Sequence, residues 1–239
     1  QRPDESAQPR EEELSIAKHH LIDCIDPREN FDVFSYIERV LPLLDELDKA
    51  EKPAVFVGGT TYYFKALVDG FDDLPPGDEE IRRSLIEEFD GESHRLHDEL
   101  SRVDPCSAER IHPRDRKKII RALEIYRITG KAMTEHMGGQ RESYVKDFLA
   151  FSLQMPREDL YARINQRVDR MIETGALDEV RQILKLLEGK DGTALQALGI
   201  RQLKPYLKGE CKLETAVEKM KTDTRRFSKR QLSFLRRDV

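Results

Sequence analysis

Two short apolar runs flank a helical pattern between residues 20 and 57, and this alternation constrains the fold more than any other feature. The runs are "HLIDCI" (20–25) and "AVFV" (54–57). Between them, apolar residues recur at helical spacing from Val33 to Leu47, after Asp32, a residue type that favours a helix start. Strand, helix and strand within about 35 residues are typical of a βαβ unit. The sequence therefore predicts an α/β fold with a parallel sheet.

A glycine pair follows the second predicted strand. In "VFVGGTTYYFKAL", Gly58 and Gly59 form a predicted turn, and Thr60 opens a predicted helix that ends at Gly70. A strand, a glycine turn and a helix start make an anion site, because the first amides of a helix lack partners. The 239 residues contain no G-x-x-x-x-G-K-[ST] motif, so the turn differs from the phosphate loop of P-loop proteins.

The pattern changes after Gly70. Three amphipathic helical patterns, marked by Leu85, Leu100 and Leu123, follow without an apolar strand run. Strand character returns at "FLAFSL" (148–153), and helical patterns dominate the remainder. The prediction is a core made of residues 1–70 and 148–239, interrupted by an all-helical insertion at 71–147.

Charge is distributed unevenly along the chain. Charged residues make up 36% of the sequence, against an average of about 25%. Residues 1–100 carry 11 Lys/Arg against 26 Asp/Glu, whereas residues 110–131 carry 8 against 2 and residues 201–239 carry 12 against 5. Two basic stretches on an acidic chain indicate a polyanion bound at defined places. Solvated helix faces are the alternative.

The cysteines and the hydropathy exclude some classes of protein. Cys24, Cys106 and Cys211 are widely spaced and form no CxxC pair, as expected for free thiols in a reducing compartment. A zinc site is not predicted. No apolar run approaches the roughly 18 residues of a membrane helix, and the predicted location is cytoplasmic.

Two predicted helices each carry a row of cations. The first row is Arg114, Lys118 and Arg121, with Lys117 beside it, and the second is Arg163, Arg167 and Arg170. In each row the second and third cations lie four and seven residues after the first, which places the row on one helix face. Guanidinium groups bind phosphate through paired hydrogen bonds, so a phosphate is the preferred ligand. Ion pairs within the second helix, with Asp159, Asp169 or Glu173, are the alternative.

Six motifs occur in a defined order along the chain. They are "HHLIDCIDP", "FVGGTTYYFKAL", "VDPCSAERIHPRDRKKIIRALEIYRITGK", "MPREDLYARINQRVDRMIETG", "ALQALGIRQL" and "DTRRFSKRQLSFLRRD". Together they closely resemble the tRNA dimethylallyltransferases (isopentenylpyrophosphate transferases), over nearly the whole chain. The resemblance implies the parallel sheet core of a P-loop nucleotide kinase with a helical insertion, the N-terminal P-loop strand being absent from this chain.

The resemblance also implies an activity and its residues. These enzymes move a dimethylallyl group from its diphosphate to the exocyclic amine of the adenosine 3′ of the anticodon in tRNA, with Mg²⁺ accompanying the diphosphate. By this resemblance Arg167 contacts the diphosphate and Thr60 lies near the transferred group, and both are candidate catalytic residues. Arg163, Gly58 and Gly59 join Arg167 as candidates for binding the diphosphate. The candidate tRNA-binding residues are Arg82, Arg114, Lys117, Lys118, Arg121, Gln196, Arg201, Lys229, Arg230, Gln231 and Arg236. No residue is assigned as a metal ligand, the insertion is expected to bind the anticodon stem-loop, and a monomer is expected.

The chain departs from the family pattern in several places. The G-P-T-[AG]-S-G-K-[ST] loop and the Asp proposed as general base are expected upstream of Gln1, so residues 1–239 alone are expected to be inactive. The usual "DIG[ST]AKP" is "DESAQP" (4–9), and the usual "GGTGLY" is "GGTTYY". Two alternatives stay open: a tRNA-binding relative without catalysis, and an enzyme that prenylates free AMP, ADP or ATP. The basic insertion argues against the second, because a free nucleotide needs no anticodon platform.

Overall fold

The computed structural model describes residues 15–72, 74–90, 92–139, 143–188 and 192–238. The segment "DESAQP" lies outside these residues. Within them the backbone is mainly helical. The α-helices are α1 (Val33–Lys49), α2 (Thr61–Asp69), α3 (Glu79–Glu88), α4 (Ser93–Val103), α5 (Pro105–Arg110), α6 (Arg116–Thr129), α7 (Met133–His136), α8 (Arg157–Glu173), α9 (Ala176–Leu186), α10 (Ile200–Leu207) and α11 (Leu213–Asp238), and a 3₁₀ turn spans Thr193–Gln196.

Local sequence signals set several helix ends. The Asp32 carboxylate accepts a hydrogen bond of 3.0 Å from the Ser35 amide and caps α1, which confirms the predicted start. Gly130 ends α6 with a left-handed φ of 70°, a conformation that glycine adopts at little cost. Gly70, with φ 67°, likewise follows α2. Helix α2 begins at Thr61, one residue after its predicted start.

The three predicted strands do not form in the part of the chain that the structure describes. Leu21 and Asp23 have φ values of 59° and 50°, in the left-handed region that a strand excludes. The segments 54–57 and 148–153 have no regular structure, and Val57 and Leu153 are 92% and 96% exposed. A strand persists only where a neighbour takes up its backbone N–H and C=O groups. Among the described residues no segment does so, and the predicted parallel sheet is not observed there.

The chain divides into two compact units. One, called the discontinuous unit, consists of Gln1–Tyr63 and Asp147–Val239, and the other, called the central unit, consists of Phe64–Lys146. The divisions therefore fall between residues 63 and 64 and between residues 146 and 147, close to the sequence-based boundaries after residues 70 and 147.

The central unit is built around helices α3, α4 and α6. Their buried apolar side chains include Leu85, Leu96, Leu100, Ile119 and Leu123. These residues recur at helical spacing within each segment, so every helix turns one apolar stripe to a shared core. The predicted helices of this region are confirmed.

The discontinuous unit has a separate core formed by α8, α9, α10 and α11. Val168, Val180, Leu203, Ala216 and Met220 are its buried centre. Since α8 turns Val168 inward, its opposite face is left to solvent. In the described residues, no helix combines the length and the apolar character that a membrane span requires.

Candidate functional site

The glycine turn contacts the C-terminal helix. The Gly59 carbonyl oxygen accepts a hydrogen bond from the Gln231 side-chain amide on α11 and another of 3.1 Å from the Thr61 amide. Gly58, Gly59 and Thr60 are all exposed. The fold thus joins the "GGT" turn to the "KRQ" segment, two motifs at opposite ends of the sequence.

Position 59 accommodates only a residue without a side chain while this contact is present. A Cβ atom there would overlap with Gln231 Nε2. The atom that it meets is the far end of a flexible side chain, so a substitution would displace the Gln231 amide and leave the backbone in place.

An aromatic cluster holds the first turn of α2 against α1. Tyr63 stacks on Tyr36 with ring centroids 4.5 Å apart and meets Phe31 edge-on at 6.2 Å. Burial raises the pKa of both tyrosines. Stacked and edge-on pairs are favourable for aromatic rings. The cluster therefore fixes Tyr63, three residues after Thr60, although the sequence alone did not identify these aromatic contacts.

The predicted row of arginines on α8 is present. Arg163, Arg167 and Arg170 are exposed on a continuous helix, and Val168 is 2% exposed on the inward side. Within the described residues neither Arg163 nor Arg167 forms an ion pair. Asp169, one of the predicted helix partners, instead binds Lys221 Nζ at 2.7 Å. Both guanidinium groups are therefore available to an anion from solution.

Further candidate residues lie on the 3₁₀ turn and on helices α10 and α11. Gln196, Arg201, Lys229, Arg230 and Arg236 are exposed. The Arg230 guanidinium lies 5.6 Å from the centroid of the Phe227 ring, so an aromatic side chain on the same helix supports one of these cations.

A nearly buried carboxylate lies among the cations of α10 and α11. Asp223 accepts hydrogen bonds of 2.9 Å from Gln202 Nε2 and from Lys219 Nζ. These bonds hold the pKa of Asp223 below its ordinary value. Gln202 is itself buried and accepts a bond of 3.0 Å from the Gly199 amide. The chain of bonds connects the "ALGIRQ" segment to α11.

In the central unit two candidate arginines share one buried carboxylate. Glu124 is fully buried, and its oxygens lie 2.9 Å from Arg82 Nε and 2.6 Å from an Nη atom of Arg121. The Asp78 amide also donates to Glu124 at 2.6 Å, and Arg121 donates to the Pro75 carbonyl at 2.5 Å. Arg82 and Arg121 therefore hold the turn before α3, and their tRNA contacts stay predictions.

The lysines of α6 are more accessible than Arg121. Lys117 is exposed and has no ion pair in the described part of the chain, and Lys118 pairs with Asp115 at 2.9 Å while 71% of its side chain is exposed. The prediction that Arg114 shares the helix face was wrong. Asp115 caps α6 and the helix begins at Arg116, so Arg114 lies before its first turn.

Sequence reasoning missed two carboxylates that bind neighbouring cations, Glu124 and Asp223. Glu124 is an isolated acidic residue within the apolar stripe of a basic helix, and this placement is the signal that could have identified it. Asp223 carries no comparable signal, because Gln202, which holds it from the buried side, comes from another helix. An open cavity of about 560 Å³ in the central unit is lined by Cys106, Glu109, Arg110, Thr134, Met137 and Gly138, and it contains no candidate residue.

Nearly the whole chain is similar to known proteins. Residues 5–238 match the family described as IPP transferase. The chain is 43% identical to the tRNA dimethylallyltransferase of Syntrophobacter fumaroxidans over 238 residues, covering 98% of this chain and 69% of that protein. It is 42% identical to the tRNA dimethylallyltransferase of Desulforamulus reducens over 237 residues, covering 98% and 83%.

Two solved structures are similar in fold. The tRNA isopentenylpyrophosphate transferase of Bacillus halodurans matches with a TM-score of 0.64 at 34% identity, over 98% of this chain and 73% of that chain. A eukaryotic dimethylallyltransferase acting on tRNA matches with a TM-score of 0.78 at 28% identity, over 95% and 58%. Sequence and structure agree with the motifs described above, and the chain belongs to the IPP transferase family.

Proposed function

We propose that this protein transfers a dimethylallyl group from dimethylallyl diphosphate to the exocyclic amine of the adenosine 3′ of the anticodon in tRNA. The observation that carries the proposal is the family match over residues 5–238. In this reaction a bond forms between the amine nitrogen and the allylic carbon. The bond from that carbon to the diphosphate oxygen breaks, diphosphate leaves, and the amine loses a proton. None of the described residues is assigned as the base that receives it.

The leaving diphosphate gains negative charge in the transition state. Arg163 and Arg167 are exposed on α8 and without ion pairs among the described residues, which supports their assignment to the diphosphate. Removing one fixed donor that is aimed at developing negative charge typically lowers the rate by a factor of about 10²–10³. Arg167 is therefore proposed as a catalytic residue, with Arg163 beside it for binding.

The transferred group is assigned to the glycine turn. Gly58 and Gly59 allow close approach of a substrate to the backbone, and Thr60 follows at the start of α2. The target amine lies on a base in a structured anticodon loop, so the adenine must leave its stack to reach a pocket. Thr60 is proposed to lie at the wall of that pocket.

Mg²⁺ is proposed to accompany the diphosphate, because this ion is commonly held by substrate phosphates and water with few protein carboxylates. Among the described residues no group of three His, Cys, Asp or Glu side chains fits a metal ion. We therefore assign no step to the ion. A cytoplasmic location and a monomeric state also stay predictions.

The experiment that tests the reaction uses the full-length protein, with any residues that precede Gln1, together with unmodified tRNA transcript, dimethylallyl diphosphate and Mg²⁺. Nucleosides from the digested tRNA are analysed by mass spectrometry for an adenosine enlarged by one C₅H₈ unit. A transcript with guanosine at the target position is the control and stays unmodified. Transfer to AMP, ADP or ATP with none to tRNA would identify the free-nucleotide enzyme, and tRNA binding without transfer would identify a non-catalytic relative.

A further inference from the structure

A loop near the start of the chain binds the 3₁₀ turn that ends at Gln196. The Asn30 side-chain oxygen accepts a hydrogen bond of 3.0 Å from the Thr193 amide. In return, the Phe31 amide donates a hydrogen bond of 3.2 Å to the Thr193 hydroxyl. Phe31 and Asn30 lie 162 and 163 positions before Thr193 in the sequence. This double contact is therefore a product of the tertiary structure.

The loop that presents Asn30 is itself fixed. The Asp26 carboxylate accepts hydrogen bonds of 2.9 Å from the Arg28 amide and of 2.7 Å from the Arg28 guanidinium. The Asp26 amide donates to the Glu29 carboxylate at 3.1 Å. Asp32, two residues after Asn30, caps α1. Asn30 thus projects from a short segment that is held on both sides.

The 3₁₀ turn has little regular structure of its own. It spans four residues, Thr193–Gln196, and the Leu195 amide closes it with a hydrogen bond of 3.2 Å to the Gly192 carbonyl. Leu195 is 9% exposed and anchors the middle of the turn, whereas Gln196 is exposed. A 3₁₀ turn has poorer hydrogen-bond geometry than an α-helix, so contacts with other segments contribute to the direction of its side chains.

Phe31 extends the contact to the helix beside the glycine turn. Its ring meets Tyr63 edge-on, with the centroids 6.2 Å apart, and Tyr63 lies three residues after Thr60. One loop therefore contacts both the turn that carries Gln196 and the first turn of the helix that follows Thr60. Since Gln196 is a candidate for tRNA and Thr60 for the transferred group, the loop connects two parts of the candidate site.

Positioning suits this double contact better than fold stability. Both hydrogen bonds lie at exposed positions, where water is a ready alternative partner for each group. Exchange of a protein partner for water leaves little net contribution to stability. Water cannot replace the fixed geometry that the two bonds impose on the turn.

We propose that Asn30 is a positioning residue, which holds Thr193 and thereby fixes Gln196 relative to Thr60 for contact with the RNA. The Gln196 amide can both donate and accept a hydrogen bond, which suits the edge of an unstacked RNA base. The identity of the RNA rests on the proposed function. Neither Asn30 nor Thr193 was assigned a role from the motifs.

The test measures the tRNA affinity of the full-length protein, with any residues that precede Gln1. Unmodified tRNA transcript is titrated with the parent, Asn30→Ala and Thr193→Val, using fluorescence anisotropy. Valine keeps the shape of threonine and removes the hydroxyl. Each variant is expected to bind about fivefold more weakly, as for the loss of one hydrogen bond. The dependence on salt should stay unchanged, because no charge is removed.

A conservative variant and a matched control accompany these two proteins. Thr193→Ser keeps the hydroxyl and is expected to bind tRNA like the parent. Gln182→Ala removes an exposed amide from α9 in the same unit and is expected to keep the parent affinity. Thermal unfolding verifies that each variant is folded.

A mutant cycle with Gln196→Ala separates positioning from a general loss of structure. Once the Gln196 side chain is removed, Asn30→Ala is expected to cause no further loss of affinity, because residues that act through one contact are not additive. Equal losses in the presence and absence of the Gln196 side chain would overturn the proposal. Parent affinities for both Asn30→Ala and Thr193→Val would overturn it as well.

Failure of this inference is distinguishable from failure of the proposed function. If the parent transfers the dimethylallyl group to tRNA while Asn30→Ala and Thr193→Val bind tRNA like the parent, only the positioning role is refuted. If the mutant cycle shows the coupling while the parent transfers no dimethylallyl group, the positioning role stands and the proposed reaction is refuted. A parent that binds no tRNA would overturn both.

Discussion

The side-chain amide of Gln231 donates a hydrogen bond to the carbonyl oxygen of Gly59, 172 positions earlier in the chain. The bond connects the last basic helix to the turn that precedes α2. Gln231 was assigned to tRNA from its motif, and its amide also has a partner within the protein. The contact places the Gln231 amide of α11 at the residue that precedes Thr60.

Gly59→Ala and Gln231→Ala are expected to act on the same contact. Each should lower the free energy of unfolding by about 1 kcal/mol, the usual contribution of one hydrogen bond. The double variant should lose no more than Gln231→Ala alone, because the bond can be lost only once. Urea denaturation of the parent, the two single variants and the double variant measures these losses. Additive losses would show that the two residues do not act through the same hydrogen bond.

Arg167→Ala is expected to lower the turnover number by roughly 10²-fold or more, since it removes a charge that stabilises the leaving diphosphate. The measurement is kcat for tRNA modification by the full-length protein, with any residues that precede Gln1 and with both substrates saturating. Gln166→Ala is the control, because Gln166 is an exposed, uncharged neighbour on α8, and it should retain the parent rate. An Arg167→Ala enzyme as fast as the parent would remove this residue from the site.

Glu124→Ala is expected to destabilise the protein by about 3 kcal/mol, because it leaves two arginines without the buried carboxylate that pairs them. Glu88→Ala is the control. Glu88 pairs with Arg127 at a half-exposed site, and the expected loss there is below about 1 kcal/mol. Urea denaturation compares the two variants. Equal losses would mean that Glu124 contributes no more than a surface ion pair.

Lys117→Ala and Lys118→Ala are each expected to weaken tRNA binding and to reduce its salt slope by about 1. Arg95→Ala is the control: it removes an exposed cation of α4 that pairs with Asp90, and it should leave the slope unchanged. Arg121→Ala should mainly lower stability, because Arg121 binds Glu124 and the Pro75 carbonyl. Unchanged slopes for both lysine variants would show that this face of α6 is solvated and does not bind tRNA.

Stability at low pH is expected to depend on Asp104, which is 1% exposed. Burial acts to raise its pKa, but hydrogen bonds from Ser107 and Thr134 outweigh burial and hold the pKa below the ordinary 3.8. A lowered pKa gives stability that is fully present above pH 3.8 and is lost as the pH falls through the folded-state pKa. Asp104→Asn keeps a good helix cap and should flatten the loss of stability below that pH.

A plot of unfolding free energy against pH, from neutral pH into the acid range, measures this difference. The parent should lose stability more steeply than Asp104→Asn once the pH falls below about 4. Parallel curves for the two proteins would mean that Asp104 does not contribute to the acid transition.

The helices of the central unit were predictable because their signals are local. Leu85, Leu100 and Leu123 mark apolar stripes at helical spacing, and all three are buried. The strand predictions failed for a non-local reason. "AVFV" has the composition of a strand, but Val55 and Val57 are exposed, and in the described chain no neighbouring segment takes up their backbone groups.

The amino-acid sequence by itself determined the family, the helical periodicity and the rows of cations, since each depends on residue types at fixed spacing along one segment. Only the tertiary structure decided which cations have an ion-pair partner within the protein. Arg121 turns to a buried Glu124, whereas Arg167 faces solvent without an ion pair among the described residues. The reason is that the burial of Glu124 and its second pairing, with Arg82 of α3, arise from packing between helices, as does the contact between Gln231 and Gly59. Spacing within one helix carries no information about these contacts.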